Sequence, residues 1–200
     1  MVAAVPREGT AAPGVLGAAR VPVLLAAFAV CVALRVAVGG VGVSQSPSAG
    51  LVFAGCLMLL ARAAGTRTVV SGRALLTGLG GGVLICAPVA VGQVMALRPL
   101  HEIDGFWRWA LVVSVVAAAE EAFLRGALYD AISDLAGAGP AIGVGALAFA
   151  LLHVPLYGWH VVPLDLAVGL VLGGLRASTG TWTAPALAHV SADLVGWFLR

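Results

Sequence analysis

The sequence predicts an all-α fold, a polytopic transmembrane helical bundle of about seven helices (six to eight). Composition, hydropathy and run length carry that prediction. Of 200 residues, 61% are hydrophobic and 10% charged, against roughly 45–50% and about 25% in soluble domains. Mean hydropathy is +1.06. The apolar residues fall in long unbroken runs, so nearly every helix would be apolar on all sides, and a water-soluble fold could not cover them. The lipid bilayer is therefore the first partner. The same arithmetic excludes disorder, coiled coil and a disulfide scaffold. A net charge of +2 is too slight for nucleic acid as a partner.

A membrane-crossing helix needs about 20 mostly apolar residues. The first run, 21–38, follows a Pro/Gly/Ala-rich tail (1–20) with Arg7, Glu8 and Arg20. No small-x-small cleavage site precedes a soluble body, so it reads as an uncleaved anchor behind a short cytoplasmic tail. Further runs cover 48–61, 74–97, 106–125, 135–156, 161–175 and 183–199, the second and sixth being short. In the third, Gly78-x-x-x-Gly82 fits a close helix contact. Residues 21–99 divide off as accessory spans and 100–200 as a chemistry-bearing core. No phosphate-cradling motif occurs, and no internal repeat supports a transporter built of two related halves.

All eleven basic residues are arginine, a bias that points, with the abundant Ala, Gly and Val, to a GC-rich bacterial genome. Cys31, Cys56 and Cys86 lie in apolar runs without Cys-x-x-Cys spacing and read as core residues. Arginines set the orientation. Arg62, Arg67 and Arg73 follow the second run while 39–47 carries no charge. The expectation is a multi-pass protein of the cell membrane with its N-terminus in the cytoplasm. Arg176 agrees, and Trp107, Trp109 and Trp159 form an outer aromatic belt. Arg98 and Arg108 run against the scheme.

Ionisable residues inside the later apolar runs are the chemical signal: Glu120, Glu121, Arg125, His153, His189 and Asp193. An Asp or Arg at mid-membrane costs about 2.5–3.5 kcal/mol on insertion scales, so such groups mark function unless they merely pair. Glu121 and Arg125 are four apart and share a helix face. Alone they would be a structural ion pair. Glu120 points about 100° away and is left to face something else. Phe149 and His153 are four apart, as are His189 and Asp193. A free carboxylate, a histidine and a His/Asp pair on separate helices are the parts for water activation. Read singly, His153 would be a packing residue, Phe149 a wall, and His189 with Asp193 a tie between helices. His101, Glu102, Asp104, Asp130, Asp134 and His160 fall in expected connections and read as solvated. Asp165 reads as interfacial.

Glu120-Glu121-x-x-x-Arg125, Phe149-x-x-x-His153 and His189-x-x-x-Asp193, in this order on successive helices, resemble the CPBP intramembrane endopeptidases. That group holds the type II CAAX prenyl proteases and the bacteriocin-processing or "Abi" proteins. The stretch 174–189 is similar to the family's approach to its last motif, and the resemblance covers roughly 100–200. It implies a glutamate-dependent endopeptidase without a metal cofactor, acting on membrane-associated or lipidated peptides or proteins, with a site reached from the cytoplasmic side. Carried over by position, Glu120 would activate water and His153 would help hold it. His189 and Asp193 would stabilise the oxyanion, while Glu121 and Arg125 would fix the helices. Asp193 departs from the Asn frequent there. An ionised Asp cannot donate a hydrogen bond, so either it stays protonated or, the preferred reading, it orients His189.

Other readings fit the same residues. The histidines and carboxylates could ligate zinc in a metal-dependent protease, although no His-Glu-x-x-His occurs. A non-enzymatic membrane immunity or scaffold protein and a small proton-coupled transporter are the further alternatives.

Overall fold

The computed structural model describes residues 15–42, 46–97 and 102–199. It is an all-α bundle with no strand among the described residues. Eight α-helical segments follow one another: α1 Val15–Gly39, α2 Pro47–Ala63, α3 Gly72–Met95, α4 Phe106–Glu121, α5 Tyr129–Ala136, α6 Ala138–Tyr157, α7 Val162–Thr179 and α8 Thr183–Phe198. A π-helical segment, Ala122–Leu128, joins α4 to α5 without a break, so the described residues form seven rods. The seven apolar runs each match one of them.

Helix ends follow ordinary capping chemistry. Ser46 and Ser71 accept hydrogen bonds from the backbone N–H of Ala49 and Ala74, at 3.3 and 3.1 Å, and so start α2 and α3. The rod 106–136 ends only at Gly137, whose φ of 85° suits glycine. That extension corrects one expectation: Asp130 and Asp134 lie on helix, not in a connection. Asp134 is exposed there, whereas Asp130 is half-buried.

Among the described residues, four stretches are long and apolar enough to cross a membrane: Ala19–Gly39, Gly72–Met95, Ala138–Tyr157 and Trp159–Thr179; Pro47–Ala63 is apolar but shorter. The outward face of α3 exposes Leu76, Val83, Leu84 and Val94, as a lipid-facing helix would. Lipid tails are as apolar as these side chains, so close packing and polar bonds must hold such helices together. The glycines of α3 do this against α8. A Cβ on Gly78 would stand 2.7 Å from the Ala184 carbonyl oxygen, and one on Gly82 would stand 2.9 Å from Ser191 Cβ. The Gly78-x-x-x-Gly82 contact is thus realised.

At the centre, all seven residues of the π segment are buried. Phe123 stacks on Phe28 of α1 at 5.3 Å, and Leu124 and Leu128 meet Phe53 and Leu57 of α2 in the same core. The Tyr129 N–H, which in an α-helix would bond the Arg125 carbonyl, bonds the carbonyls of Leu124 and Gly126 instead. Arg176 Nε donates to the Arg125 carbonyl at 2.8 Å.

The rods have two poles. At one, Arg20 donates to Ala64 O (2.7 Å), Arg73 to Ser178 O (2.9 Å) and the Trp182 indole to Arg67 O (3.1 Å). At the other, the Trp197 indole donates to Glu102 O at 2.9 Å, and Trp109 lies 4.8 Å from Trp197. Trp107 and Trp159 are exposed at this second pole. Two residues depart from the segregation: Trp182 sits at the arginine pole and Arg108 at the tryptophan pole. Arg98, His101 and residues 1–14 of the tail lie outside the described residues.

Candidate active site

The end of α4 delivers two adjacent carboxylates, and their surroundings differ. Glu121 is fully buried. Its Oε1 accepts hydrogen bonds from Arg125 Nη1 at 2.7 Å and from His189 Nδ1 at 3.0 Å. Arg125 is buried as well; its Nη2 donates to the Gly169 carbonyl of α7 at 3.1 Å, and its guanidinium lies 4.9 Å over the Phe149 ring of α6. One arginine therefore binds α4, α6 and α7 together. Gly169 permits the approach of α6 to α7, since a Cβ there would stand 2.8 Å from Ala146 Cα.

His189 lies between two carboxylates. Glu121 meets Nδ1, and Asp193 Oδ2 stands 3.6 Å from Nε2. Phe149 presents a ring to both histidines, 4.7 Å from His153 and 5.2 Å from His189. His153 Nδ1 lies 2.9 Å from the Phe149 carbonyl and 3.6 Å from Asp165 Oδ2. Glu120, also buried, has its Oε1 3.5 Å from Arg35 Nη1 and lies within electrostatic reach of His189.

A cavity of about 410 Å³ adjoins this cluster, bounded by Phe149, His153, Tyr157, Asp165, His189 and Asp193, with Ile85, Val89 and Val168 as apolar wall. A second, of about 280 Å³, is lined by Arg35, Arg108, Trp109, Val116 and Tyr157. Tyr157 borders both. Glu120 lines neither, but its ion-pair partner Arg35 lines the second. The larger cavity lies in the half of the bundle toward the tryptophan pole, where α6 ends and α7 begins. A cytoplasmic arginine pole and a site reached from the cytoplasm therefore pull in opposite directions.

The motif residues Glu120, Glu121, Arg125, Phe149, His153, His189 and Asp193 thus come together from three rods. Others fall differently from expectation. Asp165, expected at an interface, lines the larger cavity. Asp130, expected to be solvated, accepts a bond from Arg176 Nη2 at 2.5 Å, and that guanidinium covers the Tyr129 ring at 4.7 Å. Glu102, Asp104 and His160 are exposed, as expected. Arg35 is the functional candidate that motif reasoning missed, and its signal was simple: an arginine inside the apolar run 21–38. Among the described residues, no three His, Cys, Asp or Glu side chains are grouped as ligands of a metal ion would be.

An all-α bundle with helices long and apolar enough to cross a membrane, which buries carboxylates, imidazoles and an arginine beside a cavity, belongs with the membrane proteins that keep a polar site among their helices. Residues 102–195, a little under half of the chain, match the family model of the type II CAAX prenyl endopeptidase Rce1-like proteins, and this domain is similar to that family. The match starts just before α4, reaches into α8 and holds all seven motif residues; α1 to α3 lie outside it. Comparison with curated proteins and with solved structures gave no match. The family is one of CAAX-type proteases, which sets the general class as hydrolase.

Proposed function

We propose that the protein is an intramembrane endopeptidase that cuts membrane-associated or lipidated peptides in the larger cavity, with Glu120 as general base. The observation that carries this reading is that His153, His189 and Asp193 line one cavity while Glu121, the neighbour of the buried Glu120, accepts a hydrogen bond from His189, within a CAAX-protease-like domain. Glu120 removes a proton from water, and the resulting hydroxide adds to the scissile carbonyl carbon. The proton passes to the leaving amine as the C–N bond breaks, so a carboxylate and an amine leave. His153 helps hold the water. His189, as the imidazolium, donates through Nδ1 to Glu121 and presents its Nε2–H to the developing oxyanion. Asp193, its carboxylate 3.6 Å from Nε2, attracts the imidazolium without a tight hydrogen bond and so holds the ring's orientation. Glu121 and Arg125 hold the frame.

Two features favour a reaction without metal. The Glu121 oxygen nearest the histidine already accepts two hydrogen bonds, and no donor trio converges among the described residues. We place the protein as a multi-pass protein of a bacterial cell membrane, with the arginine pole in the cytoplasm. The test is cleavage of membrane-embedded and lipidated peptides by the purified chain in detergent. Wild type cuts with or without a strong chelator, and Glu120→Gln loses at least about 100-fold. Cleavage abolished by chelator and restored by zinc would move the assignment to a metalloenzyme. Cleavage retained by Glu120→Gln would end the role of that residue.

A further inference from the structure

We infer that Arg35, on α1 and outside the residues that the family model matches, is a positioning residue for the Glu120 carboxylate. The inference rests on Glu120 acting as the base. An arginine in an apolar membrane helix is costly unless it is partnered or meets a polar cavity. Arg35 meets Glu120 at 3.5 Å and the Phe53 ring of α2 at 4.7 Å from its guanidinium carbon, and it lines the smaller cavity. The aromatic face fixes the cation, and the fixed cation fixes the carboxylate.

The contrast with the neighbouring carboxylate shows what this geometry is good for. Glu121 accepts two short hydrogen bonds on Oε1, and its unpartnered Oε2 belongs to a side chain with no exposure to water. Glu120 meets its arginine at 3.5 Å, near enough for attraction and beyond a tight hydrogen bond. Its lone pairs stay open to a water molecule while the carboxylate is held in place. Among the described residues, Arg35 is the only cationic side chain at ion-pair distance from Glu120. The accessory helix α1 thereby supplies part of the catalytic geometry, from a segment that motif matching assigns to no function.

The full chain in detergent, assayed on the same peptides, decides the matter. Arg35→Gln lowers kcat about 100-fold, the loss that a misplacement of about 1 Å brings, and leaves KM unchanged. Arg35→Lys restores most of the rate by returning the charge. Arg20→Gln, which loosens the same helix at Ala64 without touching Glu120, leaves kcat unchanged. In thermal melts of Arg35→Gln, Glu120→Gln and the double variant, the double is less destabilised than the two singles summed, because neither partner is left as a lone buried charge. Equal losses in the lysine and glutamine variants, or additive melts, would overturn the inference. Wild type that cuts while Arg35→Gln cuts equally fast defeats the role of Arg35 alone; wild type that cuts nothing defeats the proposed function, and the positioning role with it.

Discussion

Replacing Arg125 by methionine removes, at one stroke, the 2.7 Å bond to Glu121, the 3.1 Å bond to the Gly169 carbonyl and the cover over Phe149. Both partners of the ion pair are at most 2% exposed, so water cannot replace what is lost. Glu121 Oε2 already has no hydrogen-bond partner, and the carboxylate would keep only His189. Removing one member of a buried pair costs about 3–5 kcal/mol, mostly the penalty of the charge left behind. For a chain of this size roughly 2–4 °C of melting temperature accompany each kcal/mol, so the variant should melt ~10 °C lower. Glu121→Gln added to Arg125→Met removes the stranded charge and should recover more than half of the loss. The assay is thermal unfolding of the purified chain in one detergent, followed by tryptophan fluorescence. A single variant that melts with wild type, or a double variant no better than the single, would refute the argument.

Other outcomes follow from the same geometry. Asp193→Asn keeps most of the peptidase activity because an amide can still hold the His189 ring, whereas Asp193→Ala loses about 100-fold in kcat; equal activity in both ends the orienting role. Gly78→Val forces a side chain to within 2.7 Å of the Ala184 carbonyl and destabilises by about 1–3 kcal/mol, while Gly80→Val, with open space around it, changes the melt little. A melt of Gly78→Val like that of wild type would show that α3 and α8 are not in close contact. In whole cells an impermeant thiol reagent labels His160→Cys and spares Thr68→Cys; the opposite pattern reverses the proposed orientation.

The rods could be read from the sequence because the bilayer allows few solutions: an apolar run of sufficient length becomes a helix whatever its neighbours do. The same holds for the paired residues, since i,i+4 spacing alone puts Glu121 with Arg125 and His189 near Asp193. What spacing cannot supply is the partner on another rod. Glu121 serves His189 across the bundle as well as Arg125 along its own helix, and no local pattern encodes that. Arg35 was legible as an anomaly but not as a member of the site, because its partner lies 85 positions away in sequence. Asp130 reads as solvated because a charge just past the end of an apolar run is assigned to water, whereas the helix runs on through it. The continuation of the rod to 136 followed from the π segment, whose wider turn leaves no mark in composition.

That π segment also sets a phase. A wide turn of this kind is an extra residue held in a helix, and such a defect can in principle slide along the rod by passing one carbonyl to the next amide. Here the Arg125 carbonyl accepts from Arg176, a residue on another helix, which pins the defect at one position. On one side of the pin stand Glu120 and Glu121; on the other, Tyr129 and Asp130 meet the same arginine. Shortening the segment by one residue would turn one half of the shaft about 100° against the other. Every side chain could then be of the right kind and none would meet its partner. In this rod the number of residues between the carboxylates and the arginine clamp carries as much information as their identities.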